Sequence, residues 1–169
     1  EATVTVEKLV KPTWENHTHH YPATLYAYLM AAFAHIDLYS RLWDGDSGAK
    51  QTRRMRGFLA RYLSRDPIAD ALAIQLWRHT LMHTSRPREL RERKSGRVYT
   101  YLLHWGPPQL PVEQHYVVSN FELSLGLTYL LNDFNQALET YLADANSTAA
   151  LQTNAQKVWP LILSQEFTL

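Results

Sequence analysis

The residues best suited to chemistry lie together at the end of a long, mostly apolar segment. Arg78, His79 and His83 follow the segment 66–77 directly. Arginine is a permanent cation whose planar fork matches phosphate oxygens, and histidine can hold or release a proton near neutral pH. Together these residue types suit phosphodiester chemistry.

A long helix is predicted to position these side chains. Asp66 is a suitable N-cap, Pro67 fits the first helical position, and Pro87 limits the other end. The apolar spacing predicts that this helix is central to a bundle, with Leu72, Leu76 and Trp77 in the core. Arg78 and His83 are about 140° apart around an α-helix. We therefore expect a homodimer that brings two copies of each residue into one cleft.

The hexapeptide Arg78-His79-Thr80-Leu81-Met82-His83, at the end of an apolar helix and before Pro87, resembles the signature of HEPN domains, an Arg followed after four to six residues by a His. The resemblance covers the helical order of most of the chain. It implies a small helical domain, often dimeric, and in active members a metal-independent RNA endonuclease. Ser85 stands where some HEPN toxins carry a Tyr that a partner nucleotidyltransferase modifies. Whether a neutralising partner protein exists is left open.

In the resulting hypothesis, a ribose 2′-hydroxyl attacks its own phosphodiester and leaves a 2′,3′-cyclic phosphate. His83 and Arg78 are the catalytic residues, and His79 orients them or contacts RNA. No metal and no cofactor are required.

Three alternatives remain open. The first is a non-catalytic helical module of the same fold that binds nucleic acid or protein. The second is a metal site at His79 and His83, which share a helix face, although no Glu follows His79 and no third ligand is evident. In the third, Arg78 and His83 only cap the helix C-terminus.

The charge distribution indicates a nucleic-acid partner. Residues 50–97 hold 13 of the 17 Lys and Arg but 4 of the 16 Asp and Glu, a formal charge of +9, although the whole chain carries +1. Such a block is typical of a protein that binds a phosphate backbone. We predict single-stranded RNA as the partner. The predicted RNA-binding residues are Arg53, Arg54, Arg86 and Arg88. The alternative is a solvated basic face paired with acidic helices.

The composition excludes several classes of protein. The 169 residues fit one domain, and the absence of Cys excludes disulfides, thiol catalysis and Cys-ligated metals. No apolar run reaches the roughly 18 to 20 residues that span a bilayer, and no signal peptide is evident. We therefore expect a cytoplasmic protein without a membrane partner. Residues 1–20 are predicted to form an N-terminal arm.

The remaining pattern predicts a mainly all-α fold, a four- to five-helix bundle of HEPN type with an inserted β-hairpin at residues 90–103. Helices are expected at about 22–42 and 49–64, before the central one. The segment Tyr116-Val117-Val118 suggests a short extended piece. Ser119-Asn120-Phe121-Glu122 matches a capping box and predicts a fourth helix from there to about Ala143. A last helix is expected to end or kink near Trp159, because Pro160 follows.

Overall fold

The computed structural model describes residues 21–46, 48–63, 66–77, 89–104 and 115–163. Its first three helices are α1 (Tyr21–Asp44), α2 (Gln51–Tyr62) and α3 (Pro67–Gln75). All three lie where the sequence predicts helices, and α2 packs against both α1 and α3. The predicted N-terminal arm, 1–20, lies outside the described residues.

Helix α3 begins as the sequence predicts. Asp66 caps it, since its Oδ1 accepts hydrogen bonds from the amides of Ile68 at 2.9 Å and Ala69 at 3.1 Å. The helix continues past Gln75 through Leu76 and Trp77 in a wider, π-helical turn. The rest of the predicted helix, from Arg78 on, lies outside the described residues.

The predicted β-hairpin is confirmed, but it is part of a larger sheet. Strands β1 (Leu90–Arg91) and β2 (Val98–His104) pair antiparallel. Two further strands, β3 (Tyr116–Ser119) and β4 (Glu122–Gly126), complete a four-stranded sheet in the order β1-β2-β4-β3, in which β2 and β4 are parallel. The described part of the chain is thus mainly helical with a small mixed sheet, and the all-α assignment is only partly correct.

The prediction of a helix start at Ser119 is wrong. Ser119 and Glu122 instead face each other across a tight turn between β3 and β4. Asn120 and Phe121, the two central residues, have φ of 49° and 62°, and positive φ at both positions is what a type I′ turn requires. Leu123 and Leu125 then alternate with Glu122 and Ser124, so this stretch has the period of a strand.

The last two helices are α4 (Leu127–Ser147) and α5 (Ala149–Leu163). Helix α4 thus starts eight residues later than predicted, since Ser119 is a strand residue, and it extends past Ala143 to Ser147. Helix α5 does not end at Trp159 but continues through Pro160 to Leu163. Gln156, whose carbonyl loses its helical partner at Pro160, is exposed and can be solvated.

The core lies between the helices and one face of the sheet. Leu72, Leu76 and Trp77 are 8%, 1% and 6% exposed, which confirms the prediction that they are core residues. Trp77 stacks on Phe33 of α1, and Phe33 meets the edge of Phe134 of α4. Helix α3 therefore joins the sheet to the other helices.

Candidate nucleic-acid interface

Only two of the predicted site residues lie in the described part of the chain. These are Arg53 and Arg54 on α2. The other predicted site residues, Arg78, His79, His83, Arg86 and Arg88, lie outside it. The candidate site is therefore built from α2 and from the elements that contact it.

The start of α2 is rich in cations. Lys50, Arg53 and Arg56 are exposed, and none of them lies within ion-pair distance of a carboxylate among the described residues. Lys50 is also the N-cap residue, and its side chain makes no capping hydrogen bond. Because the N-terminus of a helix presents amide N–H groups and the positive end of the helix dipole, this turn attracts anions.

Two depressions flank Arg53. One, of about 420 Å³, lies between α2 and α3. We call it the α2–α3 groove. It is lined by Lys50, Thr52, Arg53, Arg56, Gly57, Ala60, Pro67 and Asp70. The other, of about 510 Å³, lies beside Trp43 and shares Arg53 and Gly57 with the first.

Gly57 permits this shape. A Cβ at this position would lie 2.9 Å from two ring carbons of Trp43, so only glycine allows the indole to lie so close to α2. A cationic surface with adjoining concavities results.

Arg54 has a different role from Arg53, although the two are adjacent. Its Nη2 donates to Asp37 Oδ1 at 2.9 Å, and only 11% of its side chain is exposed. The side-chain amide of Gln51 donates to the other oxygen of Asp37 at 2.7 Å. Arg54 therefore ties α2 to α1, whereas Arg53 is available to a ligand.

The wall of the α2–α3 groove contains a buried acid. Asp70 is 1% exposed, and the Tyr116 hydroxyl donates to its Oδ1 at 3.0 Å. Its Oδ2 has no hydrogen-bond partner in the described part of the chain. Burial raises the pKa of Asp70 to about 7, against the smaller opposing effects of the Tyr116 hydrogen bond and of Arg56. Near neutral pH this carboxyl is therefore divided between its charged and neutral forms.

A buried histidine next to Tyr116 in the chain, His115, lies beside the partly buried Asp133. His115 is fully buried, and its Nε2 lies 2.7 Å from Asp133 Oδ2, although the alignment does not satisfy hydrogen-bond geometry. The His115 ring lies against Tyr129, with ring centroids 4.9 Å apart. A carboxylate in this position can orient an imidazole.

The sequence contained a signal for one of these residues only. Asp70 stands in the apolar run Ala69 to Ile74, and an acid within such a run is buried and costly unless it has a partner. That signal was missed. His115 and Asp133 are 18 positions apart and are joined only by the tertiary fold, so no local pattern reveals them.

The described residues contain no cluster of three or more His, Cys, Asp or Glu that could hold a metal ion. The alternative metal pair, His79 and His83, lies outside them. Among the described helices, none is both long and apolar enough to cross a bilayer.

Comparison with known proteins gives no relative. No family model matches the chain, and it matches no curated protein and no solved structure.

Proposed function

We propose that this protein is a metal-independent RNA endonuclease of HEPN type, which binds single-stranded RNA along α2 and cleaves it with Arg78 and His83. The proposal that the protein binds RNA is supported by the exposed cations Lys50, Arg53 and Arg56 at the start of α2, beside the α2–α3 groove. Three cations without a carboxylate partner among the described residues, at a helix N-terminus without a side-chain cap, suit a run of phosphates.

The proposal that the protein cleaves RNA is supported by the sequence motif and by the helix that precedes it. In an α-helix Arg78 and His83 diverge by about 140°. Helix α3 continues through Leu76 and Trp77, which directly precede Arg78 in the chain. Because one protomer in α-helical geometry does not bring the pair to one face, we propose that the cleft takes Arg78 and His83 from two protomers. Arg86 and Arg88 would extend the phosphate contacts, His79 would orient the pair, and a homodimer would complete the cleft.

In the proposed mechanism the substrate supplies its own nucleophile. His83 takes the proton of a ribose 2′-hydroxyl, whose oxygen attacks the adjacent phosphorus. The bond to the 5′-oxygen of the next nucleotide breaks, and that oxygen leaves as a hydroxyl after a protonated His83 gives it a proton. Arg78 stabilises the charge on the non-bridging oxygens. The products are a 2′,3′-cyclic phosphate and a 5′-hydroxyl.

The termini of the products test this mechanism. We expect cleavage of single-stranded RNA that persists in EDTA and stops when the sugar at the cut site is 2′-deoxy. His83→Ala and Arg78→Ala should each lose most of the activity and stay folded. Inhibition by EDTA, or a 3′-hydroxyl product, would contradict the mechanism. RNA binding without cleavage by the folded wild type would instead favour the non-catalytic binding module.

A further inference from the structure

The α2–α3 groove combines cations that attract a phosphate with a buried acid that charge attraction alone does not require. Its lining includes the three exposed cations Lys50, Arg53 and Arg56 and the buried Asp70. An acid beneath a phosphate-binding surface opposes binding while it is charged, and it ceases to do so once it is protonated. The protonation of Asp70 and the occupancy of the groove are therefore coupled.

We propose that the α2–α3 groove is a proton-linked phosphate subsite, in which Lys50, Arg53 and Arg56 bind phosphate oxygens and Asp70 takes up a proton when the phosphate binds. The subsite rests on the proposed function only for its ligand, an RNA phosphodiester. It adds Lys50, Arg56 and Asp70 to the residues that the sequence pattern indicates. It also makes RNA affinity depend on pH.

The surroundings of Asp70 support this role. Arg56 of α2 is close enough to lower its pKa, whereas Asp66 of its own helix raises it. From β3, the Tyr116 hydroxyl donates to Oδ1. Strand β4, which also packs on α3, buries the apolar Leu123 and Leu125. Arg56 is thus the positive group on the groove whose effect on Asp70 a bound phosphate would cancel.

The Oδ2 atom of Asp70 is the oxygen at which the carboxyl can take up a proton. Oδ2 has no partner in the described part of the chain, so nothing there fixes the carboxyl in its charged form at that atom. Burial already raises the pKa of Asp70 to about 7, and a phosphate that neutralises Arg56 raises this pKa further. RNA phosphodiesters keep one charge throughout this range, so the pH dependence arises from the protein.

The test is the affinity for a short single-stranded RNA between about pH 6 and about pH 8, at one low salt concentration. If binding raises the pKa of Asp70 by one unit, the affinity should fall about fivefold across this range because of Asp70 alone. Asp70→Asn should lose this component, because the amide mimics the neutral acid and its oxygen can still accept from Tyr116. Circular dichroism confirms folding.

Two further variants separate linkage from general charge effects. Glu139→Gln removes one exposed carboxylate on α4, away from the groove, and should keep the wild-type pH profile. Tyr116→Phe removes a hydrogen bond that lowers the pKa of Asp70, so the midpoint of the profile should move to higher pH. If Asp70 had only a structural role, Tyr116→Phe would not move the midpoint of the pH profile to higher pH. Equal profiles for wild type and Asp70→Asn would overturn the proposal.

Sulfate is the second probe, because its charge is also constant over this range. In an NMR titration it should perturb the amides of residues 51–57, more strongly at about pH 6 than at about pH 8, and equally at both in Asp70→Asn. If sulfate gives this pattern and RNA does not bind, the subsite stands and the proposed RNA function fails. If neither probe perturbs the groove, the subsite proposal is overturned.

Discussion

The Tyr116 hydroxyl donates to Asp70 Oδ1 across 3.0 Å and joins strand β3 to helix α3. Both residues are almost completely buried, and burial holds the pKa of Tyr116 well above its usual range, so its hydroxyl remains a donor. This bond fixes the side chain whose charge we expect to vary near neutral pH. It also links the only sheet of the described chain to the helix that leads to the predicted catalytic motif.

The first prediction concerns stability and Asp70. Its pKa rises from an ordinary 3.8 to about 7 on folding, so between these values the folded protein holds a proton that the unfolded chain lacks. Stability from this group is therefore lost as pH rises through that window. Asp70→Asn should match wild type below about pH 4 and become more stable above about pH 7, by at most roughly 4 kcal/mol. Urea denaturation at several pH values measures the difference. A difference that does not change with pH would contradict this assignment.

The second prediction concerns Arg53 and the salt dependence of RNA binding. If Lys50, Arg53 and Arg56 each contact one phosphate, they should together contribute about −2 to the slope of log affinity for single-stranded RNA against log salt, and Arg53→Ala should reduce the magnitude of the slope by about 0.7. Lys157→Ala, which removes an exposed cation on α5, serves as the matched control and should leave the slope unchanged. An equal effect of both variants would indicate general charge attraction.

Arg54→Ala should act differently, because it leaves Asp37 without its cation. We expect a loss of about 2 kcal/mol in the free energy of unfolding, whereas Arg53→Ala should change it by less than about 0.5 kcal/mol. Chemical denaturation measures both values. If Arg54→Ala leaves stability unchanged, the ion pair with Asp37 does not hold α2 to α1.

The fourth prediction concerns the helix that carries the motif. Leu76→Ala should cost about 2 to 5 kcal/mol, because Leu76 is 1% exposed and its removal leaves a cavity. Ile68→Ala on the same helix is the control, since Ile68 is 52% exposed and should cost much less. A loss below about 1 kcal/mol for Leu76→Ala would contradict its place in the core.

The last prediction tests whether the proposed catalytic cleft is shared between two protomers. If each site takes Arg78 from one protomer and His83 from the other, a heterodimer of Arg78→Ala and His83→Ala protomers has one intact site. Random mixing makes half of the dimers heterodimers, so about a quarter of the wild-type activity should return. Sites contained within single protomers would give no recovery.

What the sequence determined by itself was local. The Asp66 cap, the apolar faces of α1 to α3 and the hairpin around Gly96 each depend on residues a few positions apart, whose preferences act within one turn or one strand pair. The burial of Leu72, Leu76 and Trp77 followed from the same spacing. The motif residues Arg78 and His83 lie outside the described chain, so their roles stay predictions.

The tertiary structure decided the features that depend on remote partners. The segment 122–126 fits a helix start by its local pattern, but its backbone pairs with β2, about 20 positions earlier, and with β3, so it is a strand. Arg53 and Arg54 look equivalent in sequence, yet only Arg54 meets Asp37, because α1 packs against one side of α2. The pKa of Asp70 lies near neutral pH only because the surrounding core buries its carboxyl group. Desolvation of this kind is a property of the assembled fold.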